Sequence, residues 1–266
     1  MMIKIKFKGS LLRLYLERHT DFSAFYQVIV ERSYPNLLTK IKRGDTVIDA
    51  GANVGMFTVI ASVLAGNDGH IISIEPDPEN LRILKKNIEL NNLKNVVIVS
   101  KALYNEPEKK IKLIQNGVMS KIVSGEAKTD ITSIDVETTT FDDIVVQTGL
   151  QPTVLKIDIE GAEKYALLKA ERMMTTINYL ECEIHSKEDF DMLNRFSNLF
   201  DFKNEPVESM HNVLSFAIKH PLKILKLEYH NKFTTTKRIM SSYKSTSGLS
   251  EYPVIIYGER LSQQSH

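Results

Sequence analysis

The chain has 266 residues, of which 42% are hydrophobic, so it can bury one sizeable core and we predict a single main domain. Lys and Arg number 34 against 33 Asp and Glu, and this balance argues against bulk binding of a polyanion such as nucleic acid. The single cysteine, Cys182, excludes an internal disulfide and a thiol-based zinc site and is typical of a reducing compartment.

The first 44 residues predict a helical extension. Charged residues interrupt every apolar run in residues 1–19, so neither a signal peptide nor a membrane span of about 20 apolar residues is predicted. We therefore expect a cytoplasmic protein that makes no membrane contact. Apolar residues at near-helical spacing over residues 10–33 predict one or two short amphipathic helices outside the main sheet.

From residue 45 the chain alternates short β-branched runs with helical stretches, a pattern typical of a parallel sheet covered by helices on both faces. We predict a doubly wound, Rossmann-like α/β domain over residues 45–220. An apolar helix ends at Gly66, and Asp77 caps a second helix that Pro78 begins. The seven predicted strands span residues 46–50, 70–75, 96–100, 154–158, 178–184, 200–204 and 213–218.

Two further segments lie outside this regular alternation. Residues 110–114 alternate like an edge strand, whereas residues 116–132 are rich in Gly, Ser and Thr and indicate a long excursion of the kind that often covers an active site. Residues 221–266 form a basic C-terminal extension in which Tyr229, Phe233 and Tyr243 lie among lysines.

The segment VIDAGANVGMF, residues 47–57, predicts a strand, a glycine turn and a helix start. Gly51 can adopt the dihedral angles of a sharp turn, and Gly55 lets the helix start approach the sheet and a ligand closely. Asp49, at the end of the strand, could pair with a cationic ligand group such as a methionine ammonium. The GxxxG spacing differs from the GxGxxG of dinucleotide sites, and no GKS or GKT is present, which argues against NAD and ATP.

An acidic residue closes the second predicted strand. Glu75 lies 20 residues after Gly55, and a carboxylate there can bind both hydroxyls of a ribose. Together with Asp49 it predicts an adenosine ligand; in the alternative, Asp49 caps a helix and Glu75 is a solvated strand end. The turn from Ser100 to Ala102 would offer backbone groups to the adenine, or is an ordinary loop.

Three segments together resemble the FkbM family of class I methyltransferases: VIDAGANVGMF, ISIEPDPENLRILKKNIELN, and TVLKIDIEGAE following TTTFDDI. The resemblance covers roughly residues 40–220 and has no counterpart for the tail. It implies a Rossmann-like sheet with an antiparallel last strand, S-adenosylmethionine as methyl donor, and transfer usually to a hydroxyl oxygen of a small molecule or sugar. By position, the resemblance implies that the methionine part of the donor is surrounded by Asp49, Gly51, Asn53 and Gly55. It implies that Glu75 binds the ribose and that the segment around Ala102 contacts the adenine. Asp158 would then lie beside the methyl group.

Methyl transfer to an alcohol also requires removal of a proton, and we expect four ionisable side chains to converge where it would occur. Asp158 and Glu160 follow the fourth strand, and Glu183 and His185 end the fifth. Asp158, Glu160 and His185 are the candidate catalytic residues. Glu160 is alternatively the first acid of a helix beginning at Gly161, and His185 is a general base, a metal ligand or a loop histidine without a role. The set could hold magnesium or another divalent ion, and the sequence leaves this open.

Two other functions compete with this interpretation. The aromatic residues among the lysines of the tail favour an RNA methyltransferase, although such a run is more often a solvated face. The chain contains no Asn-Pro pair, and Cys182 does not follow a proline, which excludes some nucleic-acid-modifying classes. The second alternative is a noncatalytic binding module on the same fold; the intact turn from Asp49 to Gly55 argues against it.

Overall fold

The structure is a computed structural model, which describes residues 1–31, 34–114, 121–123, 133–206 and 254–261. The strands in these ranges are β1 (Met2–Phe7), β2 (Ser10–Tyr15), β3 (Thr46–Ala50), β4 (His70–Ile74), β5 (Val96–Val99), β6 (Ala102–Leu103), β7 (Lys110–Ile114), β8 (Lys121–Val123), β9 (Ser133–Thr139), β10 (Val154–Ile157), β11 (Tyr179–Ile184), β12 (Phe200–Pro206) and β13 (Val254–Arg260). The α-helices there are α1 (His19–Phe25), α2 (Pro35–Lys40), α3 (Met56–Ala65), α4 (Pro78–Leu90), α5 (Phe141–Thr148), α6 (Glu163–Leu167), α7 (Glu171–Met174) and α8 (Lys187–Asn194). A π-helix, Tyr26–Glu31, continues α1. Across the described ranges, no helix combines the length and apolar character needed to cross a membrane.

The main sheet has seven strands in the order β12, β13, β11, β10, β3, β4, β5. Only β13 runs antiparallel to its neighbours, which confirms a mostly parallel Rossmann-like sheet whose last strand is antiparallel. That last strand is Val254–Arg260, whereas the predicted strand at residues 213–218 lies outside the described residues. The boundary predicted at residue 220 therefore does not end the sheet, because β13 inserts between β11 and β12.

Helices cover both faces of this sheet because its central strands carry apolar residues on both sides. Ile48 of β3 packs with Phe141 of α5 and with the helices that follow β10. Its neighbour Val47 points the other way and packs with Leu37 of α2 and Phe57 of α3. As predicted, α3 ends before Gly66, and the Asp77 side chain caps α4 by accepting the Glu79 N–H at 2.8 Å. Strands β3, β4 and β10 are buried and run parallel, so their carboxyl ends lie side by side at one edge of the sheet.

The helix predicted from residue 10 is wrong over its first part. Residues 10–15 form β2, which pairs with β1 through a two-residue turn at Lys8 and Gly9, where φ is 46° and 82°. Such turns require positive φ at both positions and twist the strands favourably. Leu12 and Leu14 are buried at alternate positions, so a period of two prevails over the helical spacing. The N-terminal extension is thus a hairpin followed by helices.

A second, smaller sheet extends from the carboxyl end of β5, with the strand order β6, β9, β7, β8. The predicted strand at residues 110–114 is confirmed as β7, but it lies between β9 and β8 and is therefore not an edge strand. Of the predicted excursion at 116–132, the structure describes only β8. Ala102, Leu113 and Val136 form the core of this small sheet.

Candidate functional site

The carboxyl ends of β3 and β10 meet in very close contact. At Gly51, which follows β3, φ is 78°, and a Cβ placed there would lie 1.8 Å from the carbonyl oxygen of Asp158. Only glycine can bring the turn this close to the end of the neighbouring strand. The predicted close approach of Gly55 is made to Leu84 of α4 rather than to the sheet, since a Cβ there would lie 2.5 Å from the Leu84 Cδ1.

Glu75 follows β4 and is a buried carboxylate rather than a solvated strand end, with 5% of its surface exposed. Its Oε2 accepts the backbone N–H of Asn53 at 2.8 Å, where φ is 50°. Its Oε1 accepts the Asp77 N–H at 2.9 Å and the Asn80 amide at 3.3 Å. Burial raises the pKa of Glu75 to about 7 against the opposing effect of these hydrogen bonds. Since a carboxylate has about four acceptor positions, Glu75 can still accept a hydrogen bond.

Asp49 is fully buried and faces a cation that the sequence interpretation missed. The Nζ of Lys156 lies 3.1 Å from Asp49 Oδ1, and the hydroxyl of Thr58 donates to Oδ2 at 2.6 Å. Lys156 also donates to the carbonyl oxygens of Ala50 at 3.3 Å and Gly51 at 3.0 Å. A charged residue within the buried strand VLKI was the signal available in the sequence. Asp49 is therefore paired within the protein, and its predicted contact with a cationic ligand group stays a prediction.

The predicted adenine segment divides into two different environments. Ser100 is exposed just beyond β5, whereas Ala102 is 1% exposed and packs in the core of the small sheet. The side chain of Ala102 therefore faces the protein interior. Contact of this segment with a base stays a prediction that concerns its backbone.

Four predicted ionisable groups do converge at the ends of β10 and β11. One ligand atom from each of Asp158, Glu183 and His185 lies within 4.8 Å of the others. The His185 Nε2 is 3.7 Å from Glu160 Oε2 and 3.8 Å from Glu183 Oε1. The helix expected at Gly161 instead starts at Glu163, and Glu160 precedes it with φ at 55°.

Glu163 is a fifth member of this cluster and was not predicted. It is fully buried, and its Oε1 lies 3.1 Å from the His185 Nδ1 and accepts the Ile159 N–H at 3.0 Å. Burial lowers the pKa of His185, but the hydrogen bond with Glu163 and the nearby carboxylates outweigh it and raise that pKa to about 9. Burial and the charge of Asp158 raise the pKa of Glu183 to about 8. The cluster therefore combines four carboxyl groups with one imidazole, so its acidic groups outnumber its basic one.

A tyrosine from the N-terminal extension completes the site. The Tyr34 hydroxyl donates to Asp158 Oδ2 at 2.7 Å, across a sequence separation of 124 residues. Its ring packs edge-on against Phe57 and is almost fully buried. Burial and the charge of Asp158 raise the pKa of Tyr34, so it stays a donor at neutral pH. Nothing in the sequence near Asp158 pointed to Tyr34.

The family model described as "Methyltransferase FkbM domain" matches residues 49–216 of this chain. A curated relative, the probable cobalt-precorrin-6B C(15)-methyltransferase (decarboxylating) of Saccharolobus solfataricus, is 36% identical over 61 residues, which are 23% of this chain and 31% of that protein. The chain thus spans less than a third of the length of this relative. The ribosomal protein L11 methyltransferase of Anoxybacillus flavithermus is 29% identical over 84 residues, 31% of this chain and 26% of that protein.

A solved structure of methyltransferase FkbM from Methylobacillus flagellatus is also similar, with 15% identity, a TM-score of 0.48, and coverage of 91% of this chain and 55% of that chain.

Proposed function

Because the chain belongs to the FkbM methyltransferase family, we propose that it transfers a methyl group from S-adenosylmethionine to a hydroxyl oxygen of a small molecule or sugar. The observation that carries this proposal is the close contact between the Gly51 turn and Asp158. It places the proposed donor site beside a cluster of carboxylates that can accept a proton.

The residues at the ends of β3 and β4 fit this donor. The carboxylate of Glu75 retains acceptor capacity, which suits ribose hydroxyls, and the positive φ of Gly51 and Asn53 shapes the turn between them. We assign the ribose to Glu75 and the methionine part to the turn held by Lys156. S-adenosylmethionine supplies a methyl group on a positively charged sulfur. The remaining work falls to the protein, which orients the acceptor and accepts its proton.

We propose that a carboxylate of the cluster, Asp158 or Glu160, receives that proton, since the raised pKa of His185 keeps its imidazole protonated at neutral pH. Asp158 is held by the Tyr34 hydroxyl, and its backbone carbonyl contacts the Gly51 turn, so the acceptor and donor sites share one rigid edge. As the oxygen bonds to the methyl carbon, its O–H proton passes to the cluster and the electrons of the broken C–S bond remain on sulfur. The overall products are a methyl ether, the neutral thioether and a proton.

Calorimetric titration of S-adenosylmethionine into the purified chain tests the donor assignment. We expect Glu75→Gln to weaken binding about 10- to 100-fold, because it removes the charge from an acceptor whose hydrogen bond with a ribose hydroxyl is worth about 1.5–3 kcal/mol. Glu79→Gln is the matched control, since Glu79 lies on the first turn of α4 with 56% of its side chain exposed and should bind as the wild type does. Absence of binding to the wild type would contradict the proposal and favour the noncatalytic module.

A screen with methyl-labelled donor then tests the acceptor. Small alcohols and sugars are the expected acceptors, and total RNA is included as the alternative. Label in RNA, with a steep loss on raising the salt concentration, would contradict the small-molecule assignment.

The pH dependence of donor binding follows from Glu75. With its pKa raised to about 7, Glu75 is mostly protonated at pH 6 and ionised at pH 8. The ionised carboxylate is a stronger acceptor for a ribose hydroxyl than the neutral acid is, so affinity should rise about tenfold over this range in the wild type. Between about pH 4.5 and pH 7, and in the absence of donor, the folded chain holds a proton on Glu75 that the unfolded chain has released. The free energy of unfolding should therefore fall as the pH rises through this range. The Glu75→Gln variant should show neither trend, and a trend equal to that of the wild type would refute the assignment.

A further inference from the structure

We propose that Asp158, Glu183 and His185 bind one divalent transition-metal ion at the carboxyl ends of β10 and β11. The catalytic use of this ion rests on the proposed function, whereas its binding does not. The ion would occupy the position between the two carboxylates and the Nε2 of His185.

The distances in the cluster suit a shared ion better than direct hydrogen bonds. The His185 Nε2 lies 3.8 Å from Glu183 Oε1, which is too long for a hydrogen bond. Two ligands at about 2.1 Å from one metal ion are commonly separated by about 3 to 4 Å. The mutual separation of at most 4.8 Å between the three ligand atoms therefore needs only a small contraction on binding. The parallel pairing of β10 with β11, with Ile157 opposite Cys182, fixes their relative positions.

His185 is oriented as histidine ligands of metals usually are. Its Nδ1 is within 3.1 Å of the Glu163 carboxylate, which also accepts a backbone N–H. Nδ1 is therefore the donor, and Nε2 is directed towards the two carboxylates of Glu160 and Glu183. A buried carboxylate behind the imidazole fixes its tautomer and increases its basicity as a ligand.

The negative charge of the carboxylates around His185 is a second observation that favours a bound cation. Glu163 is fully buried, and its other oxygen, Oε2, has no hydrogen-bond partner among the described residues. Three further carboxylates face the same ring or lie beside it. Lys156 is 3.9 Å from Asp158 but is closer to Asp49, at 3.1 Å. A divalent ion at this position would balance the charge of these carboxylates.

One imidazole nitrogen and two carboxylate oxygens favour Mn²⁺, Co²⁺ or Zn²⁺ over Ca²⁺. Three protein ligands leave positions open for an acceptor hydroxyl, whose pKa the ion would lower. Glu160 lies beside the three ligands and is then the group that takes the proton. The ion would thus select acceptors that can offer an oxygen to a metal.

The test uses the full chain after treatment with a chelator, without S-adenosylmethionine. We expect one Mn²⁺ per chain, measured by loss of the free-ion signal in electron paramagnetic resonance. His185→Gln and Glu183→Gln should each weaken Mn²⁺ binding at least about tenfold. Glu188→Gln, an exposed acid at the start of α8, should leave binding unchanged. Circular dichroism shows whether each variant is folded, and nitrogen coordination of Co²⁺ in the wild type gives a readout that needs no variant.

Either of two results overturns the metal site: no stoichiometric Mn²⁺ binding by the wild type, or equal binding by the wild type and the folded His185→Gln variant. Titration of S-adenosylmethionine into the same preparations separates the two proposals. Metal binding without donor binding refutes the proposed function alone, and donor binding without metal binding refutes the metal site alone.

Discussion

Lys156→Met is expected to destabilise the fold by about 3 to 5 kcal/mol, because it leaves the carboxylate of Asp49 buried without its ion-pair partner. Lys156 is 3% exposed and its Nζ is 3.1 Å from Asp49 Oδ1. Burial alone would lower the pKa of Lys156, but the attraction of Asp49 and Asp158 outweighs it and raises that pKa, so the amine is a permanent cation. The variant also loses the bonds to the carbonyls of Ala50 and Gly51, and we expect it to lose binding of S-adenosylmethionine as well.

Chemical denaturation and calorimetry measure these two effects separately. Lys85→Met, at an exposed position on α4, removes the same charge and should leave both quantities close to those of the wild type. The double variant Asp49→Leu with Lys156→Met removes both buried charges and should recover part of the lost stability. It should not recover donor binding, because the turn carbonyls still lack their donor. A free energy of unfolding for Lys156→Met within about 1 kcal/mol of the wild type would contradict the role given to this ion pair.

Local patterns in the sequence were sufficient to predict those elements whose bounds depend on neighbouring residues alone. Strand β3 was predicted with its bounds, because TVIDA lies between a polar turn and Gly51. The cap at Asp77 depends on the next two residues alone. Convergence of Asp158 with His185 followed from the general rule that parallel strands end at one edge. These features need no knowledge of distant contacts.

Features that depend on distant contacts were missed or misplaced. Residues 10–15 became a strand because β1 pairs with them, although their spacing also fits a helix. Strand β13 comes from the basic tail and enters the sheet only through pairing with β11 and β12. Tyr34 lies outside the family match at residues 49–216, and no local pattern connects it with Asp158. Tertiary contacts, rather than propensities, decide such positions.

Asp158→Asn is expected to lower kcat about 10²- to 10⁴-fold while leaving the affinity for S-adenosylmethionine within a few-fold of the wild type. The asparagine keeps the size of the side chain but loses its charge, so it can neither accept a proton nor balance a cation beside Glu183 and His185. Its backbone carbonyl still contacts the Gly51 turn, which is why donor binding should persist. Steady-state kinetics with an acceptor from the screen, and calorimetry with the donor, measure the two quantities.

Tyr34→Phe tests whether the N-terminal extension positions Asp158. Loss of one hydrogen bond to a charged group costs about 1.5 kcal/mol, which corresponds to roughly a tenfold fall in kcat with little change in KM. Tyr15→Phe is the matched control, since within the described part of the chain its hydroxyl bonds only to the exposed Glu17, at 2.9 Å. Combining Tyr34→Phe with Asp158→Asn should add little to the effect of Asp158→Asn alone, because the hydroxyl acts through that carboxylate. Additive losses would mean that Tyr34 contacts the acceptor itself, and an unchanged kcat would mean that its bond to Asp158 serves the packing of α2 against the sheet.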